Sequence, residues 1–93
     1  MENTSHVKWA DILKAMGHPI RIKIIETLLD QDKCVSGIWG CLDLPQATVS
    51  QHLSLLRVKG VVHRERCGAK VKYSITDRNI AEIIKLIKDC KLT

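Results

Sequence analysis

Five side chains between positions 46 and 54 have the chemistry that stands out first: Gln46, Thr48, Ser50, Gln51 and Ser54. Amides and hydroxyls donate and accept hydrogen bonds without carrying charge, so they can read base edges in a duplex or hold phosphate oxygens at modest desolvation cost. They lie in the stretch Leu44 to Arg57, LPQATVSQHLSLLR, where Val49, Leu53 and Leu56 recur at helical spacing and predict one buried stripe opposite the polar face. Pro45 suits the start of that helix, where its missing amide hydrogen is not needed. A helix face that only meets solvent more often carries Glu and Lys, although a plain polar surface helix is the competing reading.

The charge distribution bears on the same stretch. Residues 1 to 45 hold five Lys/Arg against six Asp/Glu, whereas residues 46 to 93 hold ten against four, so the net +5 belongs to the second half. Arg57, Lys59, Arg64, Arg66, Lys70 and Lys72, interrupted only by Glu65, follow the polar helix directly. Such a run calls for a polyanion. By itself it would serve an acidic protein or an anionic membrane equally well, and its position beside the polar helix favours nucleic acid.

The elements that must position these groups are short and consecutive. Val7 to Met16 places Trp9, Ile12, Leu13 and Met16 on one helical face, and Gly17-His18-Pro19 ends that helix. Pro19 to Leu29 sets Ile20, Ile24 and Leu28 on a stripe with Ile25 and Leu29 beside it, leaving Arg21, Lys23 and Glu26 outward. Asp30 to Lys33 reads as a loop, Val35 to Leu42 as a shorter third helix, and Asp43-Leu44-Pro45 as the turn before the polar helix. After Gly60, the runs Val61 to Arg66 and Lys70 to Thr76, separated by Cys67-Gly68-Ala69, predict a hairpin with a basic outer face. Asp77 caps a last helix carrying Ile80, Ile83, Ile84 and Ile87.

With 93 residues, no Phe and three aromatics, the chain makes one domain, residues 1–93, around an aliphatic core. A domain this small is expected to gain stability from a partner subunit. No run reaches the length of a membrane span, and the polar start lacks signal-peptide character, which predicts a soluble, cytoplasmic protein with reduced thiols and no membrane partner. No paired carboxylates, nucleophile with a base, or phosphate-cradling glycine loop can be assembled, and His18, His52 and His63 occur singly, so an enzyme is not expected.

Over nearly its whole length the chain resembles the ArsR/SmtB family of small bacterial winged-helix repressors. The resemblance rests on KAMGHPIRIKIIETLL, on TVSQHLSLLRVKGVV, and on GAKVKYSIT leading into Asp77, in that order. It implies a mainly α fold with a β-hairpin wing (α+β), a winged helix-turn-helix in the order ααααββα. It also implies a homodimer on a palindromic operator of double-stranded DNA, the first and last helices forming the interface. Trp9, Ile12, Leu13, Ile80, Ile83, Ile84 and Ile87 would then divide between interface and core. Gln46, Ala47, Ser50 and Gln51 fall where the family contacts bases or nearby phosphates, with Thr48 and His52 adjacent. For His52, packing beside the apolar stripe is the plainer reading. Arg66, Lys70 and Lys72 on the wing would bind phosphates.

The resemblance further implies release from DNA by an effector. Cys34, at the start of the third helix, matches a cysteine ligand of metal-sensing members, but Val35 and Ser36 follow it in place of a second cysteine. His6, on the flexible start, could add a ligand from the other subunit, so a metal or metalloid ion is a possible cofactor. The family's other metal site would fall on Asp77, Asn79, Cys90 and Thr93, of which two are poor zinc ligands. Thiol oxidation or reactive sulfur is the favoured reading, with Cys34, Cys90 and Cys67 as candidates. Cys34 and Cys41 would stand about 10.5 Å apart on one helix, too far to pair. Cys34 with Cys90 is open. Arg66 and Lys70 near Cys67 favour its thiolate, although an exposed turn residue without a role is the plainer reading there. Cys41 and Trp39 read as packing residues. A regulator without an effector, and a protein-interaction module with the basic hairpin turned to an acidic partner, are the alternatives; weak, salt-insensitive binding to duplex DNA would favour the latter.

Overall fold

Helix α1 (Thr4–Met16) begins three residues before the expected Val7 and ends where Gly17 and His18 turn the chain into α2 (Pro19–Asp30). At that corner the Ile20 N–H donates to His18 Nδ1 at 3.1 Å. The histidine thus satisfies an amide that has no partner inside the first helical turn, while Pro19 has no amide hydrogen to satisfy. The structure, a computed structural model, describes residues 4–30, 33–34 and 44–90.

Lys33–Cys34 form a short strand, β1, that pairs antiparallel with a later strand, Lys33 opposite Tyr73 and Cys34 opposite Lys72. This corrects two expectations, that Lys33 belongs to a loop and that Cys34 opens a helix. Pairing satisfies the backbone groups that an edge of the hairpin would otherwise leave open. The expected third helix, with Trp39 and Cys41, lies outside the described residues, as does Asp43 of the turn before the polar helix.

Helix α3 (Gln46–Val58) starts after Pro45 without a side-chain cap and buries Val49, Leu53 and Leu56. Its end is closed twice: the Gly60 N–H reaches Arg57 O at 3.1 Å and the Val61 N–H reaches Leu56 O at 2.8 Å. That closure needs a left-handed residue, which Gly60 supplies at φ +81°. Strands β2 (Val62–Cys67) and β3 (Lys70–Ile75) form the hairpin, with Gly68 at φ +66° in its turn, and the sheet order is β1-β3-β2. The Thr76 hydroxyl lies 2.7 Å from Gly60 O and 3.1 Å from Val61 O, tying the end of the hairpin to its beginning. Asp77 then caps α4 (Arg78–Asp89), accepting the Asn79 N–H at 2.7 Å.

Ile24, Ile25 and Leu28 of α2, the α3 stripe, Val61, Val62 and Tyr73, and Ile80 and Ile84 of α4 form one core, with Ala15 and Met16 closing it from α1. Every buried residue described is hydrophobic. Each fully buried aliphatic side chain contributes about 1.5–3 kcal/mol, and the three on α3 hold that helix to the body by one face. The described elements run ααβαββα. The expected order ααααββα therefore gains a strand and a three-stranded sheet. No described helix is long and apolar enough to cross a membrane.

Candidate nucleic-acid interface

Burial of Val49, Leu53 and Leu56 turns the other side of α3 to solvent. Gln46, Ala47, Ser50, Gln51 and Ser54 are all exposed, and Thr48 is half-buried at the edge. The two amides and two hydroxyls on that exposed side form a strip of uncharged donors and acceptors.

His52 does not share it. Its imidazole is half-buried and packs against His18, the ring centroids 4.6 Å apart and the planes tilted by 43°. Burial, reinforced by His18 and Arg21, holds the His52 imidazole below the ordinary histidine range. Neither His18 nor Arg21 stood out in the sequence. The visible signal for His18 was its place just before Pro19, where a helix cap belongs. Arg21 is not turned fully outward as its helical position suggested: it is half-buried and its Nε is enclosed without a hydrogen-bond partner.

The hairpin is basic on two faces rather than one. Cys67 pairs with Lys70, Arg66 with Val71, Glu65 with Lys72, and Arg64 with Tyr73. Residues directly opposite share a face, so Arg64 and Arg66 lie with Val71 and the buried Tyr73, while Lys70 and Lys72 lie on the reverse with Glu65 and Cys67. The expected basic outer face therefore carries Lys70 and Lys72, while Arg66 lies on the other side of the hairpin. The turn contains two residues, Gly68 and Ala69, instead of three, and a one-residue shift in register moves Arg66 to the opposite face. Arg64, Arg66 and Val71 border a small cleft of about 120 Å³.

Among the effector candidates, Cys67 and Cys90 are exposed free thiols, at the end of β2 and just beyond α4, and Cys34 lies in β1. His6 is an exposed residue in the first turn of α1, not part of an unstructured start. Asp77 uses a carboxylate oxygen as the α4 cap. Among the described residues, no three His, Cys, Asp or Glu side chains converge as a metal centre would require.

The apolar residues expected to divide between core and subunit interface are sorted by the packing. Ile80 and Ile84 are completely covered by their own chain, and so belong to the core. Trp9, Ile12 and Ile83 are half-buried against it. Leu13 and Ile87 remain 50% and 42% exposed, alongside Val7 and Leu86.

A helix sealed by one face and polar on the other, running into a basic hairpin, defines a winged-helix regulator. The chain belongs to the arsR family of bacterial regulatory proteins, whose pattern its residues 18–64 match. The transcriptional repressor PagR of Bacillus anthracis is 44% identical over 79 residues, spanning 84% of this chain and 79% of PagR. The crystal structure of PagR gives a TM-score of 0.88 at 42% identity, covering 92% of this chain and 99% of that one. HlyU of Vibrio cholerae gives a TM-score of 0.85 at 30% identity, covering 92% and 94% respectively. The transcriptional repressor SmtB of Mycobacterium tuberculosis is 39% identical over 74 residues, 80% of this chain but 55% of SmtB, so the chain spans about half the length of that relative. The family is one of regulators, not enzymes.

Proposed function

We propose that this chain is a DNA-binding transcriptional repressor that works as a cytoplasmic homodimer on a palindromic operator, with residues 1–93 as its single winged domain. The observation that carries this reading is the exposed strip Gln46, Ser50, Gln51 and Ser54 on a helix whose opposite face is wholly buried. The descriptions of PagR and SmtB as transcriptional repressors support it. Exposed Leu13 on α1 and Ile87 on α4 support pairing of two chains through their first and last helices.

In this reading Ser50 and Gln51 contact base edges, Gln46, Ala47 and Thr48 contact bases or adjacent phosphates, and Arg66, Lys70 and Lys72 neutralise phosphates. Release from DNA proceeds through thiols, for which Cys34, Cys67 and Cys90 are the candidates; the exposure of Cys67 and Cys90 supports access by a small oxidant or reactive sulfur.

The test is the affinity of the reduced protein for DNA upstream of its own coding region, measured across a salt series in metal-free buffer and repeated after mild, thiol-reversible oxidation. Tight, salt-sensitive binding that collapses on oxidation and returns with reductant is expected. Weak binding insensitive to salt would refute the repressor reading, and binding unchanged by oxidation would refute the thiol trigger alone.

A further inference from the structure

We propose that His18, outside the DNA-reading face, is a positioning residue for the recognition helix α3, and that its contact with His52 makes operator binding sensitive to acid. The inference rests on the DNA-binding reading above. His18 Nδ1 accepts the Ile20 N–H at 3.1 Å, so it must present a lone pair there, and in a neutral ring the proton sits on Nε2. The same ring packs at 4.6 Å against His52, the residue that follows Gln51 on α3. One imidazole thus joins the first turn of α2 to the helix that carries the base-reading amide.

The surroundings oppose a proton on the His52 ring. Protonating His18 at Nδ1 replaces the acceptor with a donor and removes the bond to Ile20. A proton on His52 meets burial, the neighbouring His18 and the Arg21 guanidinium, which together hold its ionisation below the ordinary value of 6.5. Among the described residues, the charged groups of the cleft that Arg21 shares are mostly cationic. Asp11 and Lys14 of α1, Arg21 of α2 and Lys59 at the end of α3 line one cleft of about 290 Å³, three cations against one carboxylate. From the sheet side, β2 brings buried Val62 to the core and leaves His63 exposed.

Acid therefore acts on orientation. As the pH falls from the ordinary histidine value of 6.5 towards the lower value of folded His52, charge develops on the His52 ring against burial, His18 and Arg21, and the ring contact that holds α3 is weakened. The apolar stripe still holds the helix to the core, so the protein stays folded while Gln51 is displaced from its register. Ordinary histidine protonation near a polyanion strengthens binding, which makes a weakening diagnostic.

Operator affinity is to be measured by fluorescence anisotropy from pH 7.5 to 5.5 at constant ionic strength, with circular dichroism at each pH, for the wild type, His18→Asn and His52→Gln. Asn retains a capping acceptor without titrating near neutrality. The expected wild-type loss is several-fold and stays below about tenfold, the limit for one linked proton ionising below 6.5, against less than about twofold for either variant. Histidine NMR titrations of the DNA-free protein should show His52 ionising below 6.5 in the wild type and moving back towards it in His18→Asn. A wild-type affinity that is flat or rises with acid, variants that retain the wild-type slope, or loss of helix at pH 5.5 would each overturn the proposal. Absence of operator binding at pH 7.5 would instead refute the DNA-binding reading, and an unmoved His52 titration in His18→Asn would then dispose of the pair as well.

Discussion

Helix α3 and the β2–β3 hairpin form two halves of one proposed interface, and they are held in opposite ways. Three fully buried side chains fasten α3 into the core. Past Val62, β2 is exposed throughout, and Tyr73 is the one buried residue of β3. The contrast matches what each half has to do. Reading a base edge requires a donor and acceptor fixed relative to the duplex, whereas neutralising a phosphate tolerates displacement because the Coulomb field falls off slowly.

The contrast can be broken most forcefully at the core. Leu53→Ala should destabilise the fold by about 2–5 kcal/mol, read from urea denaturation, whereas Val71→Ala on the hairpin should cost nearer 1 kcal/mol. Equal losses would mean that the hairpin is fastened as firmly as the helix. Next in size, Gln51→Ala should remove about 1–3 kcal/mol of discrimination between operator sequences, measured by competition with base-substituted duplexes. An unchanged ranking of those duplexes would take base reading away from Gln51. Asp77→Ala should lower stability by about 1 kcal/mol through the lost α4 cap while leaving that ranking intact. The smallest effect belongs to the wing: Lys70→Ala should weaken all sequences alike and reduce the salt slope by about 1. Running Arg66→Ala alongside sharpens the comparison, because the two residues lie on opposite faces and a slope change in only one variant identifies the face turned to the backbone.

Where one periodicity dominated, the sequence was legible. Val49, Leu53 and Leu56 announced the buried side of α3, Asp77 announced a helix start, and the exposed polar strip followed by elimination. Features set by pairing across the chain were not. Two residues, Lys33 and Cys34, are too few to show alternation, and they become a strand only because β3 offers an open edge. The face that Arg66 occupies is not legible, because register depends on whether the turn takes two residues or three, and Cys67-Gly68-Ala69 permits either. His18 and His52 are 34 positions apart and were read singly; their contact is a product of how α2 packs on α3.

The Thr76 hydroxyl, set between the carbonyls of Gly60 and Val61, closes the hairpin at its base and so separates the history of the arm from that of the body. Lengthening or trimming at the tip leaves that closure and α3 untouched, so the wing's reach can change without disturbing the body. Paired additions, one residue in each strand, preserve the turn but exchange which face carries the tip's charges. A descendant with a longer arm can thus inherit an intact body and present a different charge pattern to its target.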